Sequence, residues 1–249
     1  NDTATTEIYT VLHTLSLHDA LPISALSYND IVQAAAADGI RIIVATPHID
    51  REFREPDPEL VRRLVVSVNR ALGAEGLPLR VLPGAEAPAE PELLEALQAG
   101  QVITVGDRGR HVLVELPTNA PATYAPELFF RLQLAGYTPV VAHVERAAIF
   151  RVQPNMLRDF HERGYRLQMN VSSLSSGFTT RRYARRLLRD GLVDILASDG
   201  HDTRRRKPLL SGARSLLRSA ELFEALTLTN PGELLRPPGA GRKAGPSIT

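Results

Sequence analysis

Short apolar runs that alternate with helical patterns constrain this chain more than any other feature. Residues 41–45 (RIIVA), 79–82, 111–115 (HVLVE), 139–142, 166–170 (RLQMN) and 193–197 read as buried strands. Around them, residues 28–38, 60–72, 91–99, 127–134, 155–163, 180–189 and 213–226 carry helical patterns, the last as one long helix. Ser27 is the expected N-cap of the first helix, and Gly39, Gly100 and Gly136 stand where a glycine closes a helix. Strand and helix units of this length imply a parallel sheet with crossover helices, hence an α/β barrel or a doubly wound sheet. No glycine-rich phosphate loop follows any strand, which argues against a nucleotide fold.

Composition narrows the chemistry. The 249 residues are enough for one substantial core, and a formal charge of +1 gives no global pull toward nucleic acid or a membrane. There are no cysteines, so disulfides, zinc–thiolate sites and a cysteine nucleophile are excluded. No apolar run reaches the length of a membrane span and no secretion signal is visible, so the expected compartment is the cytoplasm.

The polar residues that follow the strands form the second pattern. His48 follows the first, Glu86 the second, and Glu115 ends the third. His143 follows the fourth, with Glu145 and Arg146 just beyond; Gln168 and Asn170 lie in the fifth; Asp199 and His201 follow the sixth. In a parallel barrel the C-terminal strand ends converge on one face, where active sites sit. Imidazoles and carboxylates gathered there suit a divalent metal such as Mn, Fe or Zn, and a carboxylate can bridge two ions. Taken singly, each residue has an ordinary reading as a turn, cap or surface group. Three of only seven histidines at equivalent strand ends favour the metal reading.

The segments ATPH (45–48), PGAE (83–86), VELP (114–117), HVER (143–146) and ASDGH (197–201) resemble the ordered motifs of the PHP (polymerase and histidinol phosphatase) superfamily. Residues 38–48 and 170–210 most resemble its bacterial manganese-dependent protein-tyrosine phosphatases of capsule and exopolysaccharide systems. The resemblance implies a distorted (β/α)7 barrel that holds up to three divalent ions, here Mn2+. By the same resemblance His48, Asp199 and His201 would serve one metal, Glu86 would bridge the other two, and Glu115 and His143 would complete the second. Arg146 would contact the phosphate, and His201 or His48 would assist the leaving group. Two departures, HVER for the usual HPER and DGH for DAH, leave the ligand side chains in place. The implied reaction is hydrolysis of a phosphomonoester by metal-activated water, with a phosphotyrosine-bearing kinase tail as partner. Alternatives are a small ester such as histidinol phosphate, or a catalytically impaired scaffold. Nucleic acid is a weak further candidate, because the arginines have no aromatic platform beside them.

The N-terminus departs from the family. Its opening His-x-His and Asp-Asp-Gly motifs are absent, although His13, His18 and Asp19 occur nearby. Residues 12–24 (LHTLSLHDALPIS) resemble the translated read-through of a sequencing adapter. Residues 1–24 are therefore expected to be non-native, 25–235 the domain, and the Pro- and Gly-rich 236–249 a disordered tail. The first strand would then be missing, or replaced by the β-prone residues 7–15. The arginine run at 181–189 has two readings: a solvated helix face, or a landing strip for an acidic substrate. The oligomeric state is left open.

Overall fold

Every strand pairing among the described residues is parallel, as the alternation of elements requires. The structure is a computed structural model that describes residues 8–13, 25–200, 209–217 and 219–236. The strands are β1 (Ile8–His13), β2 (Ile40–Ala45), β3 (Arg80–Pro83), β4 (Glu86–Pro88), β5 (His111–Glu115), β6 (Thr138–Val141), β7 (Arg166–Asn170) and β8 (Ile195–Ala197). The helices are α1 (Ala25–Ala37), α2 (Pro58–Ala74), α3 (Leu93–Gln98), α4 (Ala125–Leu134), α5 (Ile149–Val152), α6 (Pro154–Glu162), α7 (Phe178–Arg189), α8 (Ser211–Leu217), α9 (Ala220–Glu224) and α10 (Asn230–Leu234).

One sheet has the order β1-β2-β3 and the other β4-β5-β6-β7-β8. β3 and β4 are the two halves of one strand broken at Gly84-Ala85. The first half pairs with β2, and the second with β5 and, through a bridge at Glu86, with His48. β1 lies against both β2 and β8. The eight segments therefore occupy the seven positions of a distorted parallel barrel, and Ile8–His13 fills the first of them.

Side-chain alternation decides what faces the interior. Val44, Leu82, Leu113, Val140, Ile195 and Ala197 form the inner cluster, joined from below by Leu234 of α10. Their neighbours Val112, Val114, Val141, Leu167, Met169 and Leu196 face the helix layer. Because the period is two, Glu115 shares the inward phase of Leu113, and Asp199 that of Ile195 and Ala197. Gln168 and Asn170 are in the phase opposite to Leu167 and Met169. The fold thus stacks an apolar plug beneath a polar mouth on the same strands.

Three sequence expectations need correction. α1 begins at Ala25, so Ser27 lies inside it rather than capping it. Residues 86–88 form a strand that was not expected. The single helix at 213–226 is broken: Ser219 is extended and caps α9 by accepting from the Leu222 N–H, and a π-helical turn, Ala225–Thr229, precedes α10. An apolar stripe continues across the break, but the local cap at Ser219 restarts the helix.

Candidate metal centre at the mouth of the barrel

His48, Glu86, Glu115 and His143 come together at the C-terminal strand ends. The ligand atoms of His48, Glu86 and Glu115 all lie within 4.8 Å of one another. His143 Nε2 is 3.0 Å from Glu86 Oε1 and 3.3 Å from Glu115 Oε1, and His48 Nδ1 is 3.5 Å from Glu115 Oε2. Two donors bound side by side on one ion at about 2.0–2.2 Å are themselves about 3.0–3.5 Å apart. The spacing of these four residues therefore fits a shared cation.

The backbone explains how each arrives. Glu86 is positioned by β4, whose N–H and C=O at Glu86 bond to Pro47 O and to Ile49 N–H. Gly84 in the preceding break lies so close to β2 that an added Cβ would sit 2.7 Å from Val44 Cγ1 and 3.3 Å from Ala45 O. That close approach is why PGAE needs its glycine. His143 is out of phase with Val140 and Ala142, and a φ of 29° at His143 turns it inward. Asp199 has a φ of 46°. Two non-glycine residues held in the left-handed region at two strand ends are strained positions of the kind that cluster at functional sites.

Electrostatics agree with the geometry. His143 is only 3% exposed. Burial alone would lower its pKa, but hydrogen bonds to Glu115 and Glu86 outweigh burial and raise it to about 10. Burial would raise Glu115, and the His143 partner overcomes that to hold it below its ordinary value. The two carboxylates thus demand a positive charge between them, which the imidazolium supplies here and a divalent ion would supply more strongly. His143 Nδ1 is buried with no hydrogen-bond partner among the described residues.

A second group adjoins the first through side-chain amides. The Gln168 carboxamide oxygen accepts from the His143 backbone N–H, and its NH2 donates to Asn170 Oδ1 over 2.7 Å. Asn170 Nδ2 donates to Asp199 Oδ2 over 2.7 Å, and the Arg146 guanidinium lies 3.6 Å from the same oxygen. The resemblance groups His48 with Asp199 and His201, whereas the ligand cluster of the described residues sets His48 with Glu86 and Glu115. His201, like His18 and Asp19, lies outside the described residues, and of His13 only the backbone is described.

In the sequence Glu145 stands out only as a neighbour of His143. It is fully buried, and its Oε1 accepts from the Ser173 hydroxyl over 2.7 Å and the Asn170 N–H over 3.1 Å. Burial pushes its carboxyl up despite those bonds. It braces the segment after β7 against the loop that carries His143 and Arg146. Nothing in the sequence separates such a buried carboxylate from a surface one.

A parallel α/β barrel with histidines and carboxylates at its C-terminal mouth defines the class of metal-dependent hydrolases. Within that class the chain belongs to the CpsB/CapC family of capsular polysaccharide synthesis, whose model matches residues 17–236. It is 35% identical over 179 residues to the tyrosine-protein phosphatase YwqE of Bacillus subtilis, covering 71% of this chain and 70% of that protein. The tyrosine-protein phosphatase CpsB of Streptococcus pneumoniae is 25% identical over 207 residues, 79% of this chain and 85% of that protein. A crystal structure from work on YwqE and on CpsB of S. pneumoniae, described as metal-dependent tyrosine phosphatases, superposes with a TM-score of 0.82 at 30% identity. It covers 91% of this chain and 94% of that one. A β-aspartyl dipeptidase from Fervidobacterium islandicum shares the fold alone, with a TM-score of 0.57 at 13% identity.

Proposed function

We propose that this chain is a metal-dependent protein-tyrosine phosphatase, and that it acts on a bacterial tyrosine kinase of a capsule or exopolysaccharide system. The observation that carries the reading is the convergence of His48, Glu86, Glu115 and His143 within ligand distance, in a chain of this family. Mn2+ is the ion we assign. Glu86, between His48 and His143, would bridge two ions, with Glu115 beside it, and Asp199 and His201 would serve the neighbouring ion.

When bound, the ions lower the pKa of an attacking water and neutralise charge on the phosphoryl group. The rest falls to the chain. The Arg146 guanidinium, 38% exposed at the mouth, offers a planar pair of donors to two phosphate oxygens. The Asp199–Asn170–Gln168 relay holds the loops in register. A tyrosine leaving group, whose phenol has a pKa of about 10, departs with little need for a strong acid. His48 is half-exposed, so solvent reaches the mouth and can supply that proton while the imidazole stays with the ligand cluster.

The half-exposed His48 and Arg146 side chains favour a phosphorylated protein over a small ester such as histidinol phosphate. The test compares Mn-dependent phosphate release from a phosphotyrosine peptide and from histidinol phosphate, alongside the number of Mn ions bound per chain. Peptide hydrolysis that vanishes with a chelator is expected. Preference for histidinol phosphate, or hydrolysis unaffected by chelation, would overturn the reading.

A further inference from the structure

Helix α7 carries five arginines in twelve residues, and folding explains only two of them. Arg186 and Arg189 lie in the last turn, where cations complement the helix dipole, and both pair with Asp190, at 3.4 and 3.5 Å. Arg181, Arg182 and Arg185 have no carboxylate within ion-pair distance among the described residues. Arg181 and Arg182 also sit toward the N-terminal end, where the dipole disfavours positive charge. The spacing adds to this, since Arg181–Arg185, Arg182–Arg186 and Arg185–Arg189 are like-charged pairs one helical turn apart. A self-repelling helix face calls for an external anion.

The surroundings extend the positive surface. A groove of about 410 Å3 runs between α7 and the α5–α6 segment, lined by Arg151, Arg158 and Arg186 around Phe150 and Tyr183, with Asp190 at one side. Phe178 at the N-terminal end of α7 is 69% exposed, an apolar contact beside the arginines. Chain continuity brings the N-terminal ends of α5 and α7 toward the strand ends that carry the site. α5 follows the loop that carries Arg146, and α7 follows Asn170 after one short turn, Val171–Leu174. Phe150 on α5 meets Phe160 on α6 edge-to-face, with ring centroids 5.8 Å apart, so the groove wall is anchored in the core.

We propose that the arginine face of α7, with Phe178 at its upper end, docks the acidic polypeptide segment that flanks the phosphotyrosine being hydrolysed. The inference rests on the tyrosine-phosphatase reading. Acidic side chains and further phosphotyrosines, each contributing a charge of about −1.5 to −2, supply the complementary anion. Phe178 suits the aromatic or apolar residues between them.

The test uses the full chain and a fluorescein-labelled phosphotyrosine peptide with acidic flanks, beside a peptide of equal length with neutral flanks. The triple variant Arg181→Glu, Arg182→Glu, Arg185→Glu changes only exposed or half-exposed positions away from the metal centre. Its acidic-peptide Kd, read by anisotropy, should rise about tenfold or more at low salt, with the wild-type salt dependence lost. Neutral-peptide binding and hydrolysis of a small aryl phosphate should stay at wild-type values, which also reports correct folding. Arg182→Gln and Phe178→Ser, tested singly, should weaken acidic-peptide binding in the same direction by a smaller factor. Equal acidic-peptide affinity in wild type and triple variant would overturn the proposal. So would unchanged peptide affinity with lost binding to vesicles of anionic phospholipid, which would assign the face to a membrane. Failure of the wild type to hydrolyse any phosphotyrosine substrate would instead count against the phosphatase reading, and is separable because binding is read without catalysis.

Discussion

His143 Nε2 lies 3.0 Å from Glu86 Oε1, a contact across the barrel mouth between residues that alternation alone would not bring together. The histidine reaches it through the left-handed turn at its own backbone, and the glutamate through the strand break at Gly84. The two local distortions have the same result, a shared ligand position.

That contact predicts a proton linkage. Burial alone would lower the pKa of His143 in the metal-free chain, and the Glu115 and Glu86 carboxylates outweigh it and push the pKa up to about 10. His143 therefore carries a proton at neutral pH, which a metal must displace. Below its folded pKa the competition persists, so metal affinity should rise with pH through the neutral range. Calorimetry of Mn binding in buffers of different ionisation enthalpy should show close to one proton released per ion bound at this position. Release of no protons, with an affinity independent of pH, would exclude His143 as a ligand.

Removal of either partner should disable the centre. Glu86→Gln or His143→Ala is expected to lower metal-dependent phosphotyrosine hydrolysis on the order of a hundredfold or more, and to reduce bound Mn. Both variants should keep the helical circular dichroism of the wild type. Wild-type rates in both would remove these residues from the site. Chelation of the unmodified chain should also lower Tm, since an ion that binds only the folded state stabilises it by mass action.

Much of the barrel was legible because its strands are buried apolar runs bounded by turn residues. Residues 111–115 and 166–170 were read with the bounds observed. The clustering of His48, Glu86, Glu115 and His143 was legible for the related reason that parallel strands share one C-terminal end. Three features were not. The strand at Glu86–Pro88 is short, contains a proline, and is set by pairing with distant residues rather than by its own pattern. The breaks within 213–226 leave the apolar stripe running on, so periodicity alone merges them. Glu145 looks like any charged loop residue until the fold buries it.

Gly84 offers a test of the strand break. Alanine there would meet Val44 Cγ1 at 2.7 Å and Ala45 O at 3.3 Å, and the backbone neighbour cannot rotate away. The expected outcome is a loss of about 1–3 kcal/mol in stability from overpacking. The same displacement should move Glu86, so Mn affinity should fall further than for a substitution of equal size on an outer helix. Chemical denaturation with and without Mn separates the two effects. An alanine variant with unchanged stability and metal affinity would show that the close approach is not needed.

His111 adds an acid-sensitive group at the opposite end of the barrel. It lies 5% exposed at the start of β5, where Nδ1 is 3.1 Å from Leu234 O and ties the strand to α10. Burial, aided by the nearby Arg110 charge and against the Leu234 bond, lowers its pKa from 6.5 to about 4. The unfolded chain therefore binds a proton that the folded chain refuses between those two values. Stability from this group is full above pH 6.5 and is lost as pH falls toward 4, by about 2–3 kcal/mol at pH 4.5. His111→Asn keeps an amide N–H at the Nδ1 position for Leu234 O but cannot titrate. Urea unfolding of both proteins in chelator, at pH 7 and pH 4.5, should show the variant losing less stability than the wild type on acidification. An equal loss in both would place the acid sensitivity elsewhere, with the carboxylates around His143 the next groups to examine.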